Sequence, residues 1–147
     1  MKTIGLNAPV RTIFLAFIAA TIIFSFYSCS SKVAFLTSSV VPAARGSVKV
    51  KKDNNNNYHI EIHLTNLAEV KRLEPPRQSY VVWMETSHQE IKNIGQINSS
   101  AGLFSQKLKA SFETVSALKP AKIFITAEDD VSIQYPGTQI ILSTDNF

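Results

Sequence analysis

The chain has 147 residues, a formal net charge of +4 and 45% apolar residues, values that fit a single globular domain. Its Lys and Arg residues are scattered rather than gathered into a basic stripe, so we expect no nucleic-acid partner. The single cysteine cannot form an internal disulfide, and its position therefore needs another explanation.

The beginning of the chain has the layout of a secretory signal. The segment of residues 1–11 is short and basic. Residues 12–27 are uncharged, and they are apolar apart from two threonines and a serine. Small residues then surround the cysteine in the sequence Ser28-Cys29-Ser30. We therefore interpret residues 1–28 as a signal peptide that is removed after export.

This boundary resembles the lipobox of bacterial lipoproteins, in which a short apolar run ends in a small residue just before a cysteine. Ser28 fits that pattern, whereas Phe26 stands where the family has Leu or another aliphatic residue. The resemblance implies that Cys29 carries diacylglycerol and an acylated amino group, and that membrane lipid is a partner through it. Several acyl chains would make attachment stable, because each buried methylene contributes about 0.8 kcal/mol.

Two other readings of the leader remain open. Residues 12–31 are 20 uncharged residues, about the length that spans a bilayer, so an uncleaved membrane helix is one alternative. An ordinary cleaved signal is the other. All three readings place the folded part outside the cytoplasm. The residues after Cys29 lack the acids that follow lysine in lipoprotein surface-export signals, which favours the periplasmic face of a bacterial membrane.

The first part of the mature chain has no clear period. Residues 29–45 mix Ser, Ala and Val with Pro42, and we interpret them as a lipidated N-terminus and tether with a short strand around residues 33–36. Residues 46–147 form the predicted folded domain.

A β-hairpin is the clearest local prediction in that domain. Val48 and Val50 alternate with lysines, and residues 58–65 alternate apolar and polar side chains. Between them, Asp53 and four successive asparagines favour a turn, because Asn tolerates left-handed backbone angles.

Further strands follow along the chain. Residues 69–79 are polar and form a connection; residues 80–84 are predicted as a central strand, and residues 91–97 as a strand with a bulge at Gly95. Residues 104–112 alternate again, with Leu108 and Ala110 inward and Lys107 and Lys109 outward.

The C-terminal third is less regular at first. Residues 112–118 fit either a helical turn or a loop that dips into the core. Two strands follow, at residues 122–127 and 138–143, and turns at Asp129-Asp130 and Pro136-Gly137 separate them. About seven short strands with turns between them predict an all-β sandwich.

One set of residues resembles the extracytoplasmic C-terminal domain of anti-sigma-K factors. The residues that carry the resemblance are Tyr80, Trp83, Asn93, Gly95, Gly102, Phe104, Thr126, Glu128, Pro136 and Gly137. They cover roughly residues 46–142. The resemblance implies an immunoglobulin-like β-sandwich with Trp83 packed in its core. Only eleven residues precede the apolar run, too few for the cytoplasmic domain with which such factors hold a sigma factor.

Candidate binding chemistry is sparse. His59, Glu61 and His63 share one face of a strand, but the two histidines are about 13 Å apart by strand geometry, so one ion cannot bridge them. Asp129-Asp130 and Trp83 are more typical of a solvated turn and a core side chain. There is no serine-nucleophile elbow, HExxH sequence or phosphate loop, so no catalytic residue, cofactor or metal is predicted.

These observations favour a lipid-anchored, non-catalytic β-sandwich that binds another component of the bacterial cell envelope. One alternative is a sensory accessory of an anti-sigma or other membrane regulator. Another is a metal-binding or enzymatic domain that uses His59, Glu61 and His88.

Overall fold

The structure, a computed structural model, describes residues 30–97 and 109–147. These residues form eight β-strands and one short 3-10 turn, Val70–Arg72. The strands are β1 (Ser30–Ala34), β2 (Arg45–Lys52), β3 (Tyr58–Thr65), β4 (Ser79–Thr86), β5 (Ile91–Ile97), β6 (Lys109–Ser116), β7 (Pro120–Glu128) and β8 (Ile140–Ser143).

The strands make two antiparallel sheets. Sheet I has the order β1-β2-β3-β6, and sheet II has the order β5-β4-β7-β8. Among strands β2 to β8, the orders β2-β3-β6 and β4-β7-β8 match those of an immunoglobulin-like sandwich. Strand β5 lies beside β4 in sheet II, and β1 is added at the edge of sheet I. The predicted all-β sandwich is confirmed, with eight strands rather than about seven.

The core lies between the two sheets and follows the alternation seen in the sequence. In sheet I, Ile60 and Ile62 of β3 are completely buried, while their neighbours His59 and His63 are exposed. Sheet II contributes Ile123 among other side chains of the same cluster. Because each strand buries only one face, a slip of one residue would move its apolar side chains from the core to the solvent. Burial therefore fixes the register of the β2–β3 hairpin.

The N-terminal segment connects the two sheets. Strand β1 pairs with β2 in sheet I, and the next residue, Phe35, forms a bridge with Thr144 beside sheet II. The Leu36 backbone N–H donates to the carbonyl of Ser143 at 2.8 Å. The strand expected at residues 33–36 thus begins at Ser30, and the stretch interpreted as a tether also places the buried side chains of Phe35, Val41 and Ala44 in the core.

Strand β4 is central and buried on both faces. Tyr80, Val82 and Met84 point into the core between the sheets. Trp83 is also completely buried, but in a separate cluster with Val81, Phe124 and Ile133. Trp83 is buried as expected, but not between the two sheets: its cluster lies on the outer face of sheet II, which the β7–β8 loop covers. Because both faces of β4 are apolar, its sequence does not reveal which face is inner.

The bulge predicted at Gly95 is confirmed. Val82 pairs with Gly95, whereas Trp83 pairs with Asn93, so Ile94 is the extra residue in β5. Gly95 has a φ of 137°, and a Cβ there would lie 2.7 Å from the ring of Phe112 on the facing sheet. Only glycine suits both the backbone angle and this close approach.

Strand β6 is longer at its C-terminal end than expected. The inward position predicted for Ala110 is half-buried, while Lys107 and Leu108 lie outside the described residues. Both alternatives for residues 112–118 are wrong, because the strand alternation continues to Ser116 and leaves Val115 and Leu118 exposed.

Replacing Thr126 with valine should destabilise the outer cluster. The Trp83 indole Nε1–H donates to Thr126 Oγ1 at 2.8 Å in a fully buried site. Thr126→Val keeps the side-chain shape but leaves this N–H without its acceptor, so we expect the free energy of unfolding to fall by about 1–3 kcal/mol. Urea unfolding followed by circular dichroism measures the change. The exposed Thr138→Val control should lie within about 0.5 kcal/mol of the parent, and equal effects of the two substitutions would contradict this role.

Candidate functional site

The histidine-rich face of β3 is occupied by ordinary polar contacts at the surface. Glu61 Oε2 lies 3.2 Å from Lys49 Nζ on the neighbouring strand, and His59 Nε2 lies 3.3 Å from Asp53 Oδ2. His63 is exposed on the same face. These contacts use the candidate ligand atoms to stabilise the β2–β3 hairpin instead of directing them toward a common point.

The third residue of the metal-binding alternative lies elsewhere. His88 is in the turn between β4 and β5, which belongs to sheet II, whereas His59 and Glu61 belong to sheet I. Glu90 in the same turn pairs with Lys92 at 3.2 Å. Within residues 30–97 and 109–147, no three His, Cys, Asp or Glu side chains are grouped so that they could hold a metal ion.

The Asp129-Asp130 turn is held by its own hydrogen bonds. Asp130 Oδ1 accepts from the Ser132 backbone N–H at 2.8 Å and from the Ser132 hydroxyl at 2.7 Å, and these bonds lower the pKa of the Asp130 carboxyl. Asp129 forms an ion pair with Arg77. The acids therefore order the chain where it leaves β7.

Asn93, Glu128 and Gly137 hold the β7–β8 loop against sheet II. Glu128 is buried, and its Oε1 accepts from the Gly137 backbone N–H at 2.8 Å. A Cβ at position 137 would lie 2.6 Å from Glu128 Oε2, which explains the glycine. Asn93 Nδ2 donates to the carbonyls of Val131 and Ile133 at 2.8 and 3.1 Å. Asn93, Glu128 and Gly137 thus have structural contacts, whereas Gly102 and Phe104 lie outside the described residues.

Cys29 itself lies outside the described residues, but its neighbour is the first residue of β1. Ser30 pairs with Lys51 near the end of β2. We define the Ser30 end of the sandwich as Ser30 together with the β2–β3 turn (residues 53–57), the β6–β7 turn (residues 117–119) and Phe147. The described chain therefore begins at this end of the sandwich.

An open cleft of about 400 Å³ lies at the Ser30 end. Its apolar lining includes Val50, Pro120 and Phe147, and Lys52 and Lys119 add two ammonium groups. Lys52 Nζ lies 5.9 Å from the centroid of the Tyr58 ring, a distance at which a cation interacts favourably with an aromatic face.

This cleft is not evident from the sequence. Its lining comes from the ends of β2, β3 and β7 and from the C-terminal residue, which are far apart in the sequence. The only available signal was that Lys52 lies next to the predicted turn at residues 53–57. Which turns share an end of the sandwich depends on the strand order, which the local patterns do not specify.

Comparison with protein-family models, curated proteins and solved structures finds no significant match to this chain. In the part of the chain that the structure describes, no helix has the length and apolar character needed to cross a membrane. The site is therefore characterised by its geometry and by the sequence of the leader.

Asp53 should make the hairpin sensitive to acid. Asp53 Oδ1 accepts from the Asn57 and Asn55 backbone N–H groups at 2.8 Å each, and the Asn57 bond is the main cause that lowers the pKa of the Asp53 carboxyl. A lowered folded-state pKa stabilises the fold above the unfolded-state value, and this stabilisation is lost as the pH falls through the folded-state pKa.

We therefore expect Asp53→Asn to be less stable than the parent at pH 7, with a difference that shrinks as the solution is acidified below about pH 4. Urea unfolding at a series of pH values measures it. Asp145→Asn, which removes another exposed carboxylate, should show no such dependence. A difference between Asp53→Asn and parent that grows on acidification would contradict the assignment.

Proposed function

We propose that this protein is a bacterial lipoprotein, anchored through acylated Cys29, whose β-sandwich binds another cell-envelope component without catalysing a reaction. The observation that carries the proposal is the placement of the only cysteine at the end of an apolar leader, after the small residue Ser28. Acylation gives this thiol a role outside the cytoplasm, where an unpaired cysteine otherwise needs an explanation.

The start of β1 supports a boundary at Cys29 over an uncleaved membrane helix. Ser30 and Ser31 pair with Lys51 and Val50 as part of sheet I, so they are not available to a spanning helix. This leaves about 18 residues for such a helix, near the lower limit of about 17 for crossing a bilayer. A cleaved, lipidated chain does not have to cross the bilayer with so few residues.

A binding role is supported by the surface of the sandwich. Tyr135 is 83% exposed and Ile140 is 49% exposed, and both lie at or beside the β7–β8 loop. Aromatic side chains are enriched in protein interfaces, because they bury a large area at little cost in conformational entropy. The absence of acids after Cys29 favours a protein that faces the periplasm, where such a partner would be another envelope protein.

Intact mass spectrometry of the membrane-extracted protein tests the anchor. We expect a chain that begins at Cys29 and carries the added mass of diacylglycerol and an amide-linked acyl chain. The Cys29→Ala variant should lose this mass and leave the membrane fraction. A full-length, unmodified parent chain would overturn the lipoprotein proposal and make the leader a membrane helix.

Site-specific photo-crosslinking in intact cells tests the binding role. A photoreactive residue in place of Tyr135 or Ile140 should capture the same envelope protein, whereas one in place of the exposed Ser111 on β6 should not. A captured membrane regulator would specify the sensory-accessory form of the proposal. Failure to capture any protein at either apolar position, with normal membrane attachment, would contradict binding of an envelope protein there.

A further inference from the structure

We propose that the Ser30 end docks on the surface of an anionic phospholipid bilayer, with the phosphate headgroups held at the cleft between Lys52 and Lys119. The inference rests on the proposed acylation of Cys29 and adds an orientation: the sandwich sits directly on the membrane that holds its lipid.

Chain connectivity keeps the lipid-bearing Cys29 within one residue of the Ser30 end. Consecutive Cα atoms are 3.8 Å apart, so Cys29 lies one residue from Ser30, which pairs with Lys51. Acyl chains on Cys29 would hold that residue at the level of the lipid headgroups. Because β1 is part of sheet I from its first residue, the end of the sheet must approach the same level.

The side chains at that end suit a membrane interface. Leu118 is 42% exposed in the β6–β7 turn, and Phe147 lines the cleft. The Phe147 backbone N–H donates to the carbonyl of Ala121 at 2.9 Å, which fixes the C-terminal residue beside the start of β7. Apolar groups combined with exposed lysines are typical of surfaces that rest in the headgroup region.

The charges at the Ser30 end favour anionic lipid. No salt bridge among the described residues involves Lys52 or Lys119. Two nearby carboxylates already have partners: Asp53 accepts hydrogen bonds from its own turn, and Glu90 pairs with Lys92. The two lysines therefore remain available to phosphate.

The opposite end of the sandwich carries charges of both signs. It has the Asp129-Asp130 turn, where Arg77 is paired with Asp129, and it also has Lys71 and Lys109. Charge alone therefore does not select an end. Chain connectivity selects the Ser30 end, where Lys52 and Lys119 line the cleft.

The test uses the acylated protein in vesicles. Intact mass is measured first, so that missing acylation, which defeats the proposed function, is distinguished from wrong orientation. Ala117→Cys in the β6–β7 turn and Tyr135→Cys in the β7–β8 loop each carry a fluorescent label; the Cys29 thiol is blocked by its lipid. A quencher attached to lipid headgroups reports which label lies near the bilayer.

In vesicles of equal parts phosphatidylcholine and phosphatidylglycerol, we expect the label at position 117 to be quenched strongly and the label at position 135 weakly. Each lysine near an anionic surface contributes about fivefold to its binding, so the double variant Lys52→Gln/Lys119→Gln should lower the ratio of docked to undocked protein by about 25-fold. Phosphatidylcholine alone should have a similar effect on the parent.

The matched control is Lys71→Gln/Lys109→Gln, which removes the same charge at the opposite end of the sandwich and should leave quenching unchanged. Equal quenching of the two labels in acylated protein would overturn the orientation. Strong quenching at position 117 that is the same in both vesicle types and unchanged in the Lys52/Lys119 variant would overturn the role of anionic headgroups.

Discussion

The pairing of β1 with β2 determines how the N-terminal segment joins the folded domain. This pairing begins at Ser30 and places the chain against Lys51, and five residues later Phe35 crosses to Thr144 beside sheet II. One short segment therefore completes sheet I, joins the two sheets and fixes where the chain leaves the folded domain. If Cys29 is acylated, the same pairing determines which end of the sandwich faces the lipid.

A second constraint acts on sheet II, whose two faces are both covered. The inner face meets sheet I, and the outer face lies beneath the β7–β8 loop, where Trp83 packs against Phe124 with the ring centroids 6.3 Å apart. Hydrogen bonds from Asn93 and to Glu128 hold the loop in place. Asn93 and Glu128 thus meet a structural requirement of this sheet, whose outer face needs the loop as a cover.

Most strands could be predicted from the sequence because one face of each is exposed. The alternation in β2 and β3 identified the hairpin, and the glycine in β5 identified the bulge. Trp83 was assigned to the wrong layer because β4 is apolar on both faces, so its pattern contains no period. Residues 29–45 were interpreted as a tether because an edge strand rich in serine has little periodicity, although its backbone pairs with β2. The cleft escaped prediction because it forms only when four distant segments meet.

The most direct test of the account is neutron reflectometry of the acylated protein on a supported bilayer that contains phosphatidylglycerol. If Cys29 is acylated, as we propose, β1 begins one residue after the lipid, and the protein layer should start at the headgroups with no resolved water layer between them. A flexible tether of residues 29–45 could extend about 55 Å. A hydrated gap of tens of ångströms between headgroups and protein would contradict the central claim that the sandwich is seated on its membrane by β1.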